Sequence, residues 1–205
     1  MAEEYGFYNG DTLYGQDEFN RYFNKIYESG LGADEDGNLE LAVTKTTGGV
    51  SVAPGYACVR GFYYNNTSQK TLTVTPDSQY NRIDRVVIQA NLMTGPITVT
   101  LKQGTAGSNP QPPSLERGDA IWELSLARVT VTPAGSITVA DERFDVNVCG
   151  AVRPKYFPGY TEMVAEFERR WEAWFASQQG EGQRNIYVQA NTPEGAVDGS
   201  IWIDT

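Results

Sequence analysis

The chain has 205 residues, of which 40% are apolar, 20% charged and 12% aromatic, a globular rather than a disordered composition. Lysine and arginine number 16 against 26 acids; the net charge of −10 repels phosphate and argues against nucleic-acid and anionic-membrane partners. Histidine is absent, which removes imidazole-based nucleophile systems and His-ligated zinc and leaves any catalysis to carboxylates, Lys, Tyr or Cys. The sequence has no phosphate loop, nucleophile elbow or metal-ligand cluster, and neither an enzyme nor a cofactor is expected.

Met1-Ala2-Glu3-Glu4 opens acidic with no apolar run behind it, so no secretory signal is expected. No stretch of about 18 apolar residues is present to span a bilayer. Residues 1–38 read as an attachment segment. Its centre is a helix over Asp17–Tyr27, where Phe19, Tyr22, Phe23 and Ile26 recur at one helical face. Asp17 and Glu18 suit the first turn and Lys25 the last. The stretch Tyr5–Leu13 before it, rich in aromatic residues, Gly and Asn, is expected to join the module to a neighbour.

Asp34-Glu35-Asp36-Gly37-Asn38 places glycine at the fourth position. A calcium-binding EF-hand loop needs it at the sixth, so this reads as an acidic turn before the first strand.

Residues 39–155 are β in character. Thr71–Thr75, Ile97–Leu101 and Ile137–Val139 alternate Thr with Val, Ile or Leu, the period of a half-buried strand. Val50–Val52, Tyr56–Tyr64, Arg85–Asn91 and Asp119–Val131 are further strands, separated by Gly, Pro and Asn turns. Seven or eight short strands without intervening helices predict an antiparallel β-sandwich. Its core should hold Leu72, Val74, Val86, Ile88, Ile97, Val99, Leu101, Trp122, Leu124 and Leu126. Arg82 and Asp84, two apart, share a strand face and can pair along it, with Arg85 on the other face. Gly104–Pro113 is too rich in Gly and Pro for regular structure and reads as a crossover loop between sheets. Cys58 and Cys149 are expected as small buried side chains in a reduced compartment.

Residues 156–182 read as a helical oligomerisation segment. Tyr160, Val164, Phe167, Trp171, Trp174 and Gln178 are spaced 4, 3, 4, 3, 4, a coiled-coil-like seam widened by Met163 and Phe175. Gly180-Glu181-Gly182 is the expected stop. Val164, Phe167, Trp171 and Trp174 are the predicted oligomer interface, with Glu166, Glu168, Arg169, Arg170 and Glu172 on its rim. Residues 183–205 hold two β-fragments, Tyr187-Val188 and Ile201–Ile203, and predict a small C-terminal hairpin that needs a neighbour.

The order of an aromatic helix, Asn81-Arg82-Ile83-Asp84-Arg85-Val86-Val87, Asp141-Glu142-Arg143, Cys149-Gly150 and a Trp-rich helix resembles a known group. It is similar, over residues 5–179, to the N-terminal module of phage tail and baseplate proteins of the upper-baseplate or tail-fibre adaptor type. Residues 192–205 resemble short segments recurring in phage fibre proteins. The resemblance implies a structural protein of the virion tail, assembled in the bacterial host cytoplasm. It also implies a homo-oligomer, most simply a trimer, touching other tail or baseplate proteins. The alternative reading is a carbohydrate-binding module for a host surface glycan, because adjacent Tyr63 and Tyr64 force one aromatic ring out of the sheet.

Overall fold

The computed structural model describes residues 14–155, 160–179, 186–196 and 199–205. The expected joining stretch Tyr5–Leu13, the helix stop Gly180–Gly182 and the turn residues Val197-Asp198 lie outside the described residues. The chain divides into two compact units, Met1–Lys155 and Tyr156–Thr205.

The first unit begins with α1 (Gln16–Ile26), one residue from the expected start and end. Gly15 precedes it and has no side chain to cap the helix. Glu18 supplies the other half of a capping box, its carboxylate accepting the Gly15 N–H at 2.8 Å.

Ten strands follow: β1 (Gly30–Leu31), β2 (Val43–Thr46), β3 (Gly49–Val52), β4 (Gly55–Val59), β5 (Phe62–Asn66), β6 (Lys70–Thr73), β7 (Arg82–Asn91), β8 (Ile97–Lys102), β9 (Ile121–Val131) and β10 (Ile137–Asp141). They form three antiparallel sheets, ordered β1–β4–β5, β2–β3–β6 and β10–β9–β7–β8. Leu31 and Val59 from the first sheet, Val50 and Val52 from the second, and Val86, Ile88 and Val99 from the third share one apolar core. The fold is thus mainly β with antiparallel sheets, and its apolar faces converge from three sheets.

The expected core residues fall in two groups. Val74, Val86, Ile88, Val99, Leu124 and Leu126 are buried. Leu72, Ile97, Leu101 and Trp122 pack against that core while remaining partly exposed. Period-2 alternation breaks on β9. Val86 pairs with Ala127 but Val87 pairs with Ser125, leaving Leu126 as an extra residue in a β-bulge. Leu126 and Ala127 are therefore buried side by side.

Two expectations are corrected here. Tyr56–Tyr64 is not one strand but β4 and β5, joined at Arg60-Gly61. Both residues take positive φ, 53° and 86°, the conformation of a tight hairpin turn. Arginine gives no turn signal, which hid the break. Gly61 is required twice over, because a Cβ there would also run into the carbonyl oxygen of Asn20 on α1. Gly104–Pro113 does not pass between sheets. It links β8 to β9, which flank β7 in the same sheet. The Pro113 carbonyl accepts from Arg85 Nη1 at 3.0 Å, and the Glu116 N–H donates to Glu123 Oε2 at 2.8 Å.

The second unit consists of α2 (Tyr160–Gln179), β11 (Ile186–Val188) and β12 (Ile201–Ile203). The predicted hairpin is overturned, because β11 and β12 pair in parallel, with Tyr187 opposite Trp202. A parallel pair cannot close on a tight turn and needs a connection of about a dozen residues. The segment between the strands serves as that connection, and Pro193-Glu194-Gly195 is a bend within it. The pair is tied at its end by Gln189 N–H to Ile203 O at 3.1 Å and Trp202 Nε1–H to Gln189 O at 2.7 Å.

Candidate functional site

The segments that looked specific in sequence serve the architecture of the first unit. Arg82 and Asp84 do pair along β7, at 2.7 Å (Nε–Oδ1) and 2.9 Å (Nη2–Oδ2). Both sit buried on the strand face that carries Val86 and Ile88. Two more bonds support the pair: Thr75 O accepts from Arg82 Nη2 at 2.7 Å, and Gly104 N–H donates to Asp84 Oδ1 at 2.9 Å. A buried pair in this condition fixes register, since losing either partner strands a charge.

Arg85, on the opposite face, reaches the second motif. Its Nε lies 3.3 Å from Glu142 Oε2, close enough for charge attraction but without hydrogen-bond alignment. Glu142 also holds Arg128 at 2.8 Å and accepts from Ser125 Oγ at 2.6 Å. Arg143 grips Asp141 at 2.7 Å and donates to the carbonyls of Leu39 and Glu40. Gly150 accepts from Leu31 N–H at 2.9 Å. The two motifs are therefore halves of one clamp that returns the chain from β10 to β1.

Chemistry is scarce in this frame. Among the described residues no group of three His, Cys, Asp or Glu could hold a metal ion. Cys58 and Cys149 are free and buried. Burial pushes the Cys149 thiol up to about 12 and raises Cys58 as well, so neither is a ready nucleophile. In the acidic turn, Asp34 accepts the N–H groups of Asp36 and Asn38 at 3.0 and 2.8 Å. These bonds, the Asn38 N–H foremost, hold its carboxyl below the usual range. The turn is closed on itself.

Exposed aromatic surface is abundant instead. On α1, Phe19, Tyr22 and Phe23 are exposed and Ile26 is half-buried. The helix rests against the β4–β5 turn, and Lys155 Nζ ties it down through Asn24 O at 2.6 Å. Beside it an apolar groove of about 680 Å³ is lined by Phe19, Phe23, Tyr27, Tyr56, Cys58 and Tyr63.

On α2, the predicted interface residues Phe167, Trp171 and Trp174 are 67%, 56% and 52% exposed, while Val164 is half-buried. Trp171 and Trp174 touch with ring centroids 5.1 Å apart and planes tilted by 38°, so the helix does bring these two together. Met163 and Phe175 extend the exposed face at 59% and 50%. Outside it, Glu166 binds Arg169 and Arg170 at 2.8 and 2.7 Å. Those two guanidiniums, Arg169 first, pull the Glu166 carboxyl down to about 2.

A third feature escaped the sequence reading. Trp122 has the guanidinium carbons of Arg60 and Arg117 at 4.8 and 5.0 Å from its ring centroid. Arg60 thereby stands at one end of the β1–β4–β5 sheet. Only the Arg60-Gly61 dipeptide could have signalled a turn there, and it is a weak cue.

No family model matches the sequence, and no curated protein matches it. Among solved structures, the chain is similar to the gene 22 product of the Bacillus subtilis SPP1 phage. Identity is 16%, the TM-score is 0.37, and the match covers 55% of this chain and 81% of that chain. A likeness of that size says nothing of what this chain does.

Proposed function

We propose that this chain is a structural protein of a bacteriophage virion, a tail-tip or baseplate component that links the tail hub to receptor-binding parts through protein–protein contacts. The observation that carries the reading is the α2 face, on which Phe167, Trp171 and Trp174 are each more than half exposed in a charge-free stripe. Covering one such side chain stabilises by about 1.5–3 kcal/mol, so the stripe is a strong drive to association. The helix is under three heptads, too short to hold copies together without that aromatic bulk.

In this reading copies of the chain meet along α2 in a trimer, and α1 with its aromatic groove faces other tail proteins. The protein acts by binding, with no catalysis and no cofactor, and ends in the virion tail after assembly in the host cytoplasm. The family resemblance of residues 5–179 supports the phage assignment, and the three-sheet core supports a rigid, sandwich-like adaptor body.

Light scattering at high salt, where charge contacts are screened, tests it. The wild-type chain should have the mass of a trimer, and Trp171→Glu with Trp174→Glu should reduce it to a monomer with an unchanged β spectrum. A monomeric wild type, or a double variant that keeps the wild-type mass, overturns the α2 interface. Deleting residues 1–15 should leave a folded protein that no longer joins tails. Glycan binding by the isolated chain would favour the carbohydrate-binding alternative.

A further inference from the structure

A chain of net charge −10 concentrates cations at one end of its β1–β4–β5 sheet. On the flank of α1 next to the apolar groove lies a cleft of about 330 Å³. Arg21, Lys25 and Arg60 line it against Asp119, and Arg21 is already paired with Glu18 at 3.6 Å, which leaves Lys25 and Arg60 as the surplus. Among the described residues Lys25 and Arg60 form no ion pair; the Arg60 guanidinium rests on Trp122 instead. Asn20 also lines the cleft, and its Nδ2 is buried with no hydrogen-bond acceptor among the described residues. A surplus of positive charge calls for an occupant that carries carboxylates.

The opposite end of the same sheet carries such a group. β4 runs from Gly55 to Val59, and Arg60 follows its last residue. At its first residues lies the acidic turn, where Glu40 Oε2 accepts Tyr56 N–H at 2.7 Å and Ala33 bridges Leu39. Glu35 and Asp36 stand exposed at the tip and form no ion pair among the described residues. Asp34 locks the turn from within, so the two carboxylates are presented on a rigid support.

We propose that the Lys25–Arg60 cleft takes the Glu35-Asp36 tip of a second copy of this chain, in a head-to-tail contact. Charge complementarity between the two ends of one sheet favours a copy over a foreign acidic segment. Such a contact is heterologous, and heterologous contacts build a ring where the rotation closes and an open filament where it does not. It uses none of the residues of the α2 interface.

The test is a charge-swap cycle on the full chain, read by sedimentation equilibrium at low and high salt. Lys25→Glu with Arg60→Glu should weaken association about tenfold or more at low salt, and so should Glu35→Lys with Asp36→Lys. Combining all four reversals in one chain should restore wild-type association, and high salt should erase the differences. All four positions lie on the surface or at its edge, and circular dichroism checks that each variant folds. If neither reversal changes association, or if the wild type is monomeric at low salt, the contact does not exist. If a reversal weakens association but the fourfold swap fails to restore it, the occupant is not the tip of a second copy, and the proposal falls.

The cycle repeated on Trp171→Glu with Trp174→Glu separates the two interfaces. A salt-sensitive association that survives there supports the cleft contact even where the α2 reading has failed.

Discussion

The two units are made of similar apolar material and end in opposite states. In residues 14–155, Val50, Val52, Val59, Val86, Ile88 and Leu126 are wholly buried, and three sheets close over them. In the second unit no described side chain is buried, although it carries Trp171, Trp174, Ile201, Trp202 and Ile203. A two-stranded sheet is marginal alone, and a 20-residue helix draws most of its stability from packing. The first unit therefore holds its own reasons for folding, whereas the second presents apolar surface that another surface must cover. Stability experiments should report on the first unit and association experiments on the second.

The sharpest way to break this contrast is at the buried pair on β7. Asp84→Ala leaves Arg82 charged, buried and without its partner, which should cost about 3–5 kcal/mol in urea unfolding. A loss under about 1 kcal/mol would mean that Arg82 finds water, and that the β7 face is less closed than its burial implies. Next in size, Leu124→Ala should cost about 2–5 kcal/mol, because its methyl groups leave a cavity in the shared core. Thr98→Ala, on the half-buried outer face of β8, should stay within about 0.5 kcal/mol. Equal losses at the two positions would contradict the register of the four-stranded sheet.

That register was legible in the sequence because alternation of Thr with Val or Ile has only one solution when one face must be dry. The Arg82–Asp84 pair was legible for the same reason, since residues two apart on a strand share a face. What stayed hidden depended on contacts made elsewhere. Arg60-Gly61 is a turn because α1 and the β4–β5 hairpin fit together there, and arginine carries no sign of it. The extra residue Leu126 looks like any other apolar residue in a strand. Parallel pairing of β11 and β12 is a choice of direction, and short apolar runs are the same read either way. Of the candidate site, the α2 seam follows directly from 3.5-residue spacing. The cationic cleft does not, because Lys25, Arg60 and Asp119 meet only after folding.

A smaller effect is expected where α1 meets the sheet. Gly61→Ala forces a Cβ against Asn20 O and strains a residue at φ 86°, at a cost of about 1–3 kcal/mol. The loss should be local. Hydrogen exchange should speed up along α1 while β7 and β9 keep their protection. Uniform loss of protection would show instead that α1 is an integral part of the core and not a docked element.

The finest contrast lies in two carboxylates whose pKa values are both lowered, one in each unit. Glu123 on β9 is wholly buried. Burial by itself would raise its pKa, but Lys102 at 2.7 Å, the Glu116 N–H at 2.8 Å and Gln89 at 2.8 Å together outweigh burial and hold it below the usual range. Glu166 on α2 is exposed and held at about 2 by Arg169 and Arg170. Because a carboxyl lowered in the folded state binds its proton less tightly there than in the unfolded chain, its stabilisation is present above the ordinary carboxylate pKa. It is lost as pH falls through the folded value. The stability gap between wild type and Glu123→Gln should therefore narrow steadily on acidification from about pH 5. Salt should alter that gap only slightly, since Glu123 is wholly buried and Lys102 only 22% exposed. The Glu166 titration, followed by NMR, should instead climb from about 2 toward ordinary values as salt screens its exposed partners. If salt moved both carboxylates equally, Glu123 would be solvated, and the closed core that distinguishes the first unit from the second would not exist at that site.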